Sequence, residues 1–389
     1  MVRRGGTRTP WVVRALLVVV LLELFLLGSG RLLEVGPITV RMLLYAAGVA
    51  YACVYYAWRG AADREVVGLG FAFVTLQLFS LLFGVMRGAS LGAIAADLQP
   101  LSFFLALFFF SATIRDLAQV RRVAFMVKVS AVILAVGYLI VIALLKSGVI
   151  PFLPFYLLMN STGEFMFRGS IGMVYKGFLY LGVGFFFFAF DRRLAHKAIA
   201  ALLLVALILT FTRGFLLSLA VVFIGALLLT ERRKHLSLMY AMLALAGFAL
   251  LWPWFARALM DRADADTMRM LDLKYVLDSI TWYSLAVGHG FGSTIGYRLR
   301  IEATYFEILH KQGVLGLLFW GGLLVVILRR FLVSLRNGNG NAALPFFLAT
   351  LFVYLQSATN PFLTNPIGMS MVQLAQAALG VLARTPARA

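Results

Sequence analysis

Glu302, Glu307, His310 and Lys311 crowd one short stretch, "IEATYFEILHKQGVLG" at residues 301–316, directly ahead of an apolar run that continues through Leu328. A carboxylate in such a place can take the proton of an attacking hydroxyl, and fixed cations nearby can stabilise a departing phosphate. Cations are at hand. Arg298 and Arg300 precede the stretch, and Arg262, Arg269 and Lys274 lie upstream in "DRADADTMRMLDLKYVLDSI". The spacing also admits a plainer reading. Arg298 and Glu302 are four residues apart, as are Glu307 and Lys311, so on a helix each pair shares a face. Such surface ion pairs contribute only about 0.3–0.5 kcal/mol each. Tyr305 and His310 complete the polar groups of the stretch as secondary candidates.

Two more arginines sit where a phosphate could be held. Arg213, in "LTFTRGFLLSL", falls between two apolar runs, each too short to bury it at mid-membrane, so it is expected at a sharp turn with Gly214 easing the bend. A guanidinium there presents a planar fork suited to bidentate phosphate binding, or else snorkels from a helix end. Arg168 opens "RGSIGMVYKGF", with Lys176 two turns further on if the segment is helical. "GHGFG" at residues 288–292 has neither the spacing nor the strand-to-helix setting of a nucleotide-binding loop and reads as a tight turn. His196, His235, His289 and His310 do not cluster, so neither a metal nor a cofactor is expected.

The elements that must position these residues are membrane helices. The 389 residues are 62% hydrophobic and 13% charged, with a mean hydropathy of +0.94, outside the range of soluble domains. Apolar runs of spanning length recur from end to end. They predict an all-α polytopic membrane protein of about 12 transmembrane helices, at 11–28, 42–57, 66–86, 92–113, 127–146, 170–190, 198–212, 214–230, 236–252, 313–328, 342–358 and 367–383. The chain then reads as one membrane domain, 1–389, with two long outer loops, 147–169 and 253–312. Residues 263–279 have the spacing of an amphipathic helix lying along the interface. Most of the 35 Lys and Arg fall on the side of the two termini, which the positive-inside rule makes cytoplasmic. The cations left on the outer side point to an anionic ligand there. Arg14 and Glu23 are expected to pair with each other or with another helix, and Cys53 to pack in the core. No nucleic-acid partner is expected.

In three places the sequence resembles the bacterial O-antigen polymerase and O-antigen ligase superfamily. "TFTRG" is similar to its [ST]-R-G at the outer end of a span, "GHGFG" to a glycine-rich turn late in its long periplasmic loop, and "EATYFEILHKQGVLG" to its H-N-x-Y stretch followed by G-x-x-G. The resemblance covers about residues 168–365. It implies a multi-span glycosyltransferase of the GT-C type, facing the periplasm from the inner membrane. Such an enzyme takes glycan from undecaprenyl diphosphate, with lipid-linked donor and acceptor as partners and a chain-length regulator beside it. Carried over residue by residue, it makes Arg213, Arg168 and Arg269 the diphosphate-binding set and Glu302 the catalytic base. This chain departs from the ligase pattern there, since Glu302 and Ala303 stand where ligases carry His followed by a polar residue. That favours a polymerase over a ligase. A lipid-linked sugar transporter is the rival from another class, but no half-to-half similarity supports it.

Overall fold

The computed structural model describes residues 10–36, 38–59, 63–168, 172–230, 242 and 263–387. The described chain is almost wholly helical: α1 Trp11–Leu26, α2 Val40–Arg59, α3 Arg64–Met86, α4 Leu91–Ser102, α5 Ala106–Thr113, α6 Leu117–Lys146, α7 Phe152–Ser161, α8 Leu179–Ala189, α9 Leu194–Leu209 and α10 Arg213–Thr230. After the gap follow α11 Ala263–Ser279, α12 Trp282–Val287, α13 Thr304–Arg336, α14 Gly340–Gln356 and α15 Pro366–Arg384. Two short antiparallel hairpins, Glu34–Val35 with Ile38–Thr39 and Phe165–Arg168 with Gly172–Tyr175, are the strand pairs among the described residues. Among the described residues, six stretches are long and apolar enough to cross a membrane: α2, α3, α4 running into α5, α6, α13 and α15. Shorter apolar helices fall at Lys176–Ala189, Leu194–Leu209, Arg213–Leu229 and Gly340–Gln356. Helical residues fall within eleven of the twelve expected spans, but the one expected at 170–190 opens on the strand Gly172–Tyr175 and turns helical only from Lys176, and the ninth, 236–252, lies outside the described residues apart from Met242.

Two helices form the centre. Every residue of α15 from Ile367 to Leu382 is buried, and so is α8 from Leu179 to Phe188. Buried along that whole length, α15 carries Ser370, Gln373 and Gln376; Ser370 and the amide nitrogen of Gln373 have partners, whereas neither polar atom of the Gln376 side chain has one among the described residues. One partner comes from a helix break. Pro100 interrupts α4, a short 3₁₀ turn over Phe103–Leu105 follows, and Gln373 Nε2 donates to the carbonyls of Phe103 (3.2 Å) and Phe104 (2.9 Å). Tyr180 of α8 donates to the Ile367 carbonyl at 2.8 Å, tying the two central helices at one end.

The ends of the bundle are marked by charge. At one end Asp63 and Glu65, which open α3, meet Arg329 and Arg330 of α13 and Arg384 of α15; Arg330 Nε donates to Glu65 Oε2 at 2.6 Å. At the other end α3 receives the loop 288–292, where the Phe291 amide donates to the Ser80 carbonyl at 2.9 Å. In the first span, Glu23 pairs with Arg41 of α2 at 2.9 Å and not with Arg14. Cys53 is exposed on the outside of α2 rather than packed in the core.

The span expected at 313–328 is the middle of a longer helix broken once. At Gly313 the backbone has φ 66° and ψ −162°, a conformation open only to glycine. The break turns the carbonyls of His310 and Lys311 to the side, where they accept the amides of His289 (2.7 Å) and Gly290 (3.0 Å). A Cβ on Gly313 would lie 2.3 Å from the Ala286 carbonyl oxygen, whereas one on Gly321 in the same helix would meet nothing within 4 Å. Gly313→Ala is therefore expected to destabilise the fold by on the order of 3 kcal/mol or more, and Gly321→Ala to leave it unchanged. Thermal melting of both variants in detergent checks this; equal melting temperatures would sink the role given to the break.

Candidate functional site

The stretch carrying the candidate carboxylate is built by α11 and a small turn. In α11, Arg269, Asp272 and Val276 recur at spacings of three and four, so they share one face. Val276 packs with Ile295 and Ile301 in a small core of its own. Between those isoleucines the chain reverses at Gly296 (φ 61°), with Ile295 and Arg298 exchanging backbone hydrogen bonds of 2.8 and 3.1 Å. This lays the non-helical residues 298–303, which bend at 299 and 302, against α11. Arg298 Nη1 then donates to Asp272 Oδ2 at 2.8 Å. Arg269 clasps Glu302, its Nε at 3.0 Å and its Nη2 at 2.6 Å from Oε2.

The expected i,i+4 pair of Arg298 with Glu302 therefore does not form. Ala303 ends the non-helical segment and offers no side-chain cap, so α13 begins only at Thr304. There the Thr304 amide donates to the Ser357 carbonyl at 3.1 Å and its hydroxyl to the Asn360 carbonyl at 3.0 Å. Tyr305 donates to the Tyr354 carbonyl at 2.6 Å, which makes it a tie to α14. Burial pushes the Asp272 carboxyl above the usual carboxylate range, against the pull of Arg298.

The second expected pair, Glu307 with Lys311, forms at 3.1 Å but is not on the surface. Lys311 is buried, and its ammonium has three acceptors: Asp97 Oδ1 at 2.7 Å, Glu307 Oε1 at 3.1 Å and the Leu299 carbonyl at 2.5 Å. The other oxygen of Asp97 accepts the Gly292 amide at 2.8 Å. Asp97, from α4, thus joins the glycine-rich loop, α13 and the non-helical segment at one point. No reading of the sequence had singled it out. Its signal was a carboxylate within the apolar run "LGAIAADLQPL", where a charge requires a partner.

His310 points away from this group. Its ring stacks on His289 at 4.4 Å between centroids, and Nδ1 lies 3.3 Å from Ser279 Oγ. Burial lowers His289 below the ordinary histidine value. The loop 288–292 is a packing device: a Cβ on Gly84 would lie 2.1 Å from the Phe291 carbonyl oxygen, and one on Gly290 would lie 2.2 Å from the Gly84 amide.

Arg213 is the first residue of α10, and its neighbourhood adjoins the start of α13. The bend before it is made by Phe211, at φ 52°, and not by Gly214. Gly214 instead allows close approach to α14 and the turn after it: a Cβ there would lie 2.9 Å from both Gln356 Nε2 and Thr359 Oγ1. The same turn, 356–360, holds Thr304. Arg168 ends a hairpin strand, and Lys176 begins the 3₁₀ turn that leads into α8, so the two are not on one helix. Lys176 is near Glu164, which is fully buried and accepts the amides of Ser29 (2.9 Å) and Arg31 (3.1 Å). Arg262 lies outside the described residues.

The two ion pairs of the site differ in setting. Glu302 and Arg269 keep 44% and 36% of their side-chain surface exposed, whereas Asp97 and Lys311 keep 2% and 4%. Glu302→Gln should accordingly change stability by less than about 1 kcal/mol, while Lys311→Met, leaving Asp97 buried without a counter-ion, should cost about 3–5 kcal/mol. Denaturation of both variants in detergent measures the difference, and a large loss for Glu302→Gln would make that carboxylate a structural group.

No family model matches the chain. Over 356 residues, 90% of each chain, it is 28% identical to an O-antigen polymerase of Shigella flexneri. The resemblance first carried by three short motifs thus extends along nearly the whole sequence.

Proposed function

We propose that this protein is a polysaccharide polymerase of the inner membrane, moving a glycan from undecaprenyl diphosphate onto a hydroxyl of another lipid-linked repeat unit. Both termini are cytoplasmic and the site faces the periplasm on this reading, in keeping with the distribution of Lys and Arg. The observation that carries it is the position of Glu302: half-exposed, in a non-helical segment at one end of the bundle, and touching a guanidinium. A catalytic base must be reachable and an anion site must be cationic, and the two requirements meet in this pair. Similarity to an O-antigen polymerase over 90% of the chain supports the substrate class.

The reaction is a single displacement. The acceptor oxygen bonds to the anomeric carbon as the bond from that carbon to the phosphate oxygen breaks, and the configuration inverts. The hydroxyl proton passes to Glu302, and the negative charge leaves on the diphosphate. Arg213, Arg168 and Arg269 receive that charge, which guanidinium groups stabilise without proton transfer. Tyr305 and His310, tied into the packing, take no part in proton transfer.

Purified protein given a lipid-linked repeat unit alone should form a ladder of products. Reaction only after a second type of acceptor is supplied would make it a ligase, and no reaction with either would favour a transporter. Glu302→Gln should lower ladder formation by at least about a hundredfold while the protein still inserts; a normal ladder from that variant removes Glu302 from the chemistry. Arg213→Lys should slow turnover, because an ammonium lacks the planar fork, and full activity would leave Arg213 a snorkelling residue.

A further inference from the structure

Beside Glu302 lies a cleft of about 80 Å³, room for about six water molecules. Residues 300 and 301 form part of its wall, so the candidate base is the next residue along the chain. Asp97 and Lys311 line its floor; Arg300, Glu307, Thr364 and Asn365 line it nearer the surface; Leu101, Ile308 and Pro361 supply apolar wall.

The floor and the rim differ in how their polar groups are engaged. On the floor, both oxygens of Asp97 accept hydrogen bonds and Lys311 has three acceptors. At the rim, Arg300 is exposed and has a single long contact among the described residues, 3.6 Å from its Nε to Asp97. Glu307 uses Oε1 for Lys311 and Asn365 uses Oδ1 for the Ile367 amide, which leaves Oε2 and Nδ2 without protein partners among the described residues. The rim therefore presents a planar donor fork, a carboxylate acceptor and an amide donor toward one small space. Two carboxylates and two cations cancel in charge, so the cleft selects no ion. Closely spaced donors and acceptors over an apolar wall match a ring with alternating hydroxyl and C–H faces.

We propose that this cleft binds one uncharged pyranose ring of the glycan, with Arg300 and Glu307 hydrogen-bonding adjacent ring hydroxyls and the Asp97–Lys311 pair fixing the rim. The ring belongs either to the lipid-linked donor or to the acceptor; the chemistry is the same. The assignment rests on the reading of the protein as a glycan polymerase, and its test is separate from that of Glu302.

The test uses the full chain in detergent, with lipid-linked repeat unit as donor and the free repeat-unit oligosaccharide as acceptor. The oligosaccharide carries no diphosphate and cannot serve as donor. Arg300→Gln and Glu307→Gln remove the contacts, and Thr364→Phe fills the cleft while every charge stays. Each variant should raise KM at least tenfold for one sugar substrate, with kcat within threefold of the parent. A raised KM for the oligosaccharide assigns the ring to the acceptor, and a raised KM for the lipid-linked unit measured at saturating oligosaccharide assigns it to the donor. Unchanged KM for both substrates, or a collapse of kcat at constant KM, overturns the proposal. Kd of the oligosaccharide and of the lipid-linked unit, read by saturation-transfer NMR, needs no turnover. A tenfold weakening of either in the variants supports the cleft even if no ladder forms, and Kd values equal to the parent's overturn it.

Discussion

At Gly313 the chain leaves the helical region for one residue, and everything at this end of the bundle is arranged around that departure. A continuous helix would keep the carbonyls of His310 and Lys311 for its own next turn. Released, they anchor the loop 288–292, which in turn presses against α3 through Gly84 and Gly290. Backbone meeting backbone at this range leaves no room for side chains, so the loop's position is fixed more tightly than packed side chains would fix it. Its Gly292 amide then meets Asp97, and through Asp97 and Lys311 the fixed position reaches the Leu299 carbonyl. The non-helical segment 298–302 is thereby held at both ends, by Lys311 at Leu299 and by Thr304 on the turn 356–360.

Burying Asp97 and Lys311 is costly, since each loses its water shell. The cost is offset here by a complete set of hydrogen bonds, two to the carboxylate and three from the ammonium. Ion pairs of this kind are weak sources of stability but strong sources of specificity, because any other arrangement leaves a bare charge. The contrast with the opposite end is plain. There Arg329 and Arg384 lie largely in solvent and can exchange partners at little cost, while Arg330, the buried member of that cluster, holds Asp63 and Glu65.

The helices were legible in the sequence because apolar run length alone sets them. Ends were less so: α13 runs past both limits of its apolar run, as Thr304 and Tyr305 are held by α14 and the turn after it, not by local preference. Ion-pair partners were the least legible. Helical spacing paired Arg298 with Glu302, but residues 298–303 are not helical, and pairing across a fold follows spatial neighbours. Arg269 reaches Glu302 across 33 positions, and Lys311 reaches Asp97 across 214. Glycine-rich motifs were legible as glycine and not as geometry, since Gly214 serves close packing while Phe211 makes the turn.

The clasp between Arg269 and Glu302 has a kinetic meaning on the polymerase reading. The guanidinium holds Oε2 and, among the described residues, no hydrogen bond takes Oε1, so the carboxylate is held in place while one oxygen is left for an acceptor hydroxyl. If the proposed roles hold, a diphosphate at Arg269 would compete for the same donors with more charge than one carboxylate, and donor loading would loosen the clasp on Glu302.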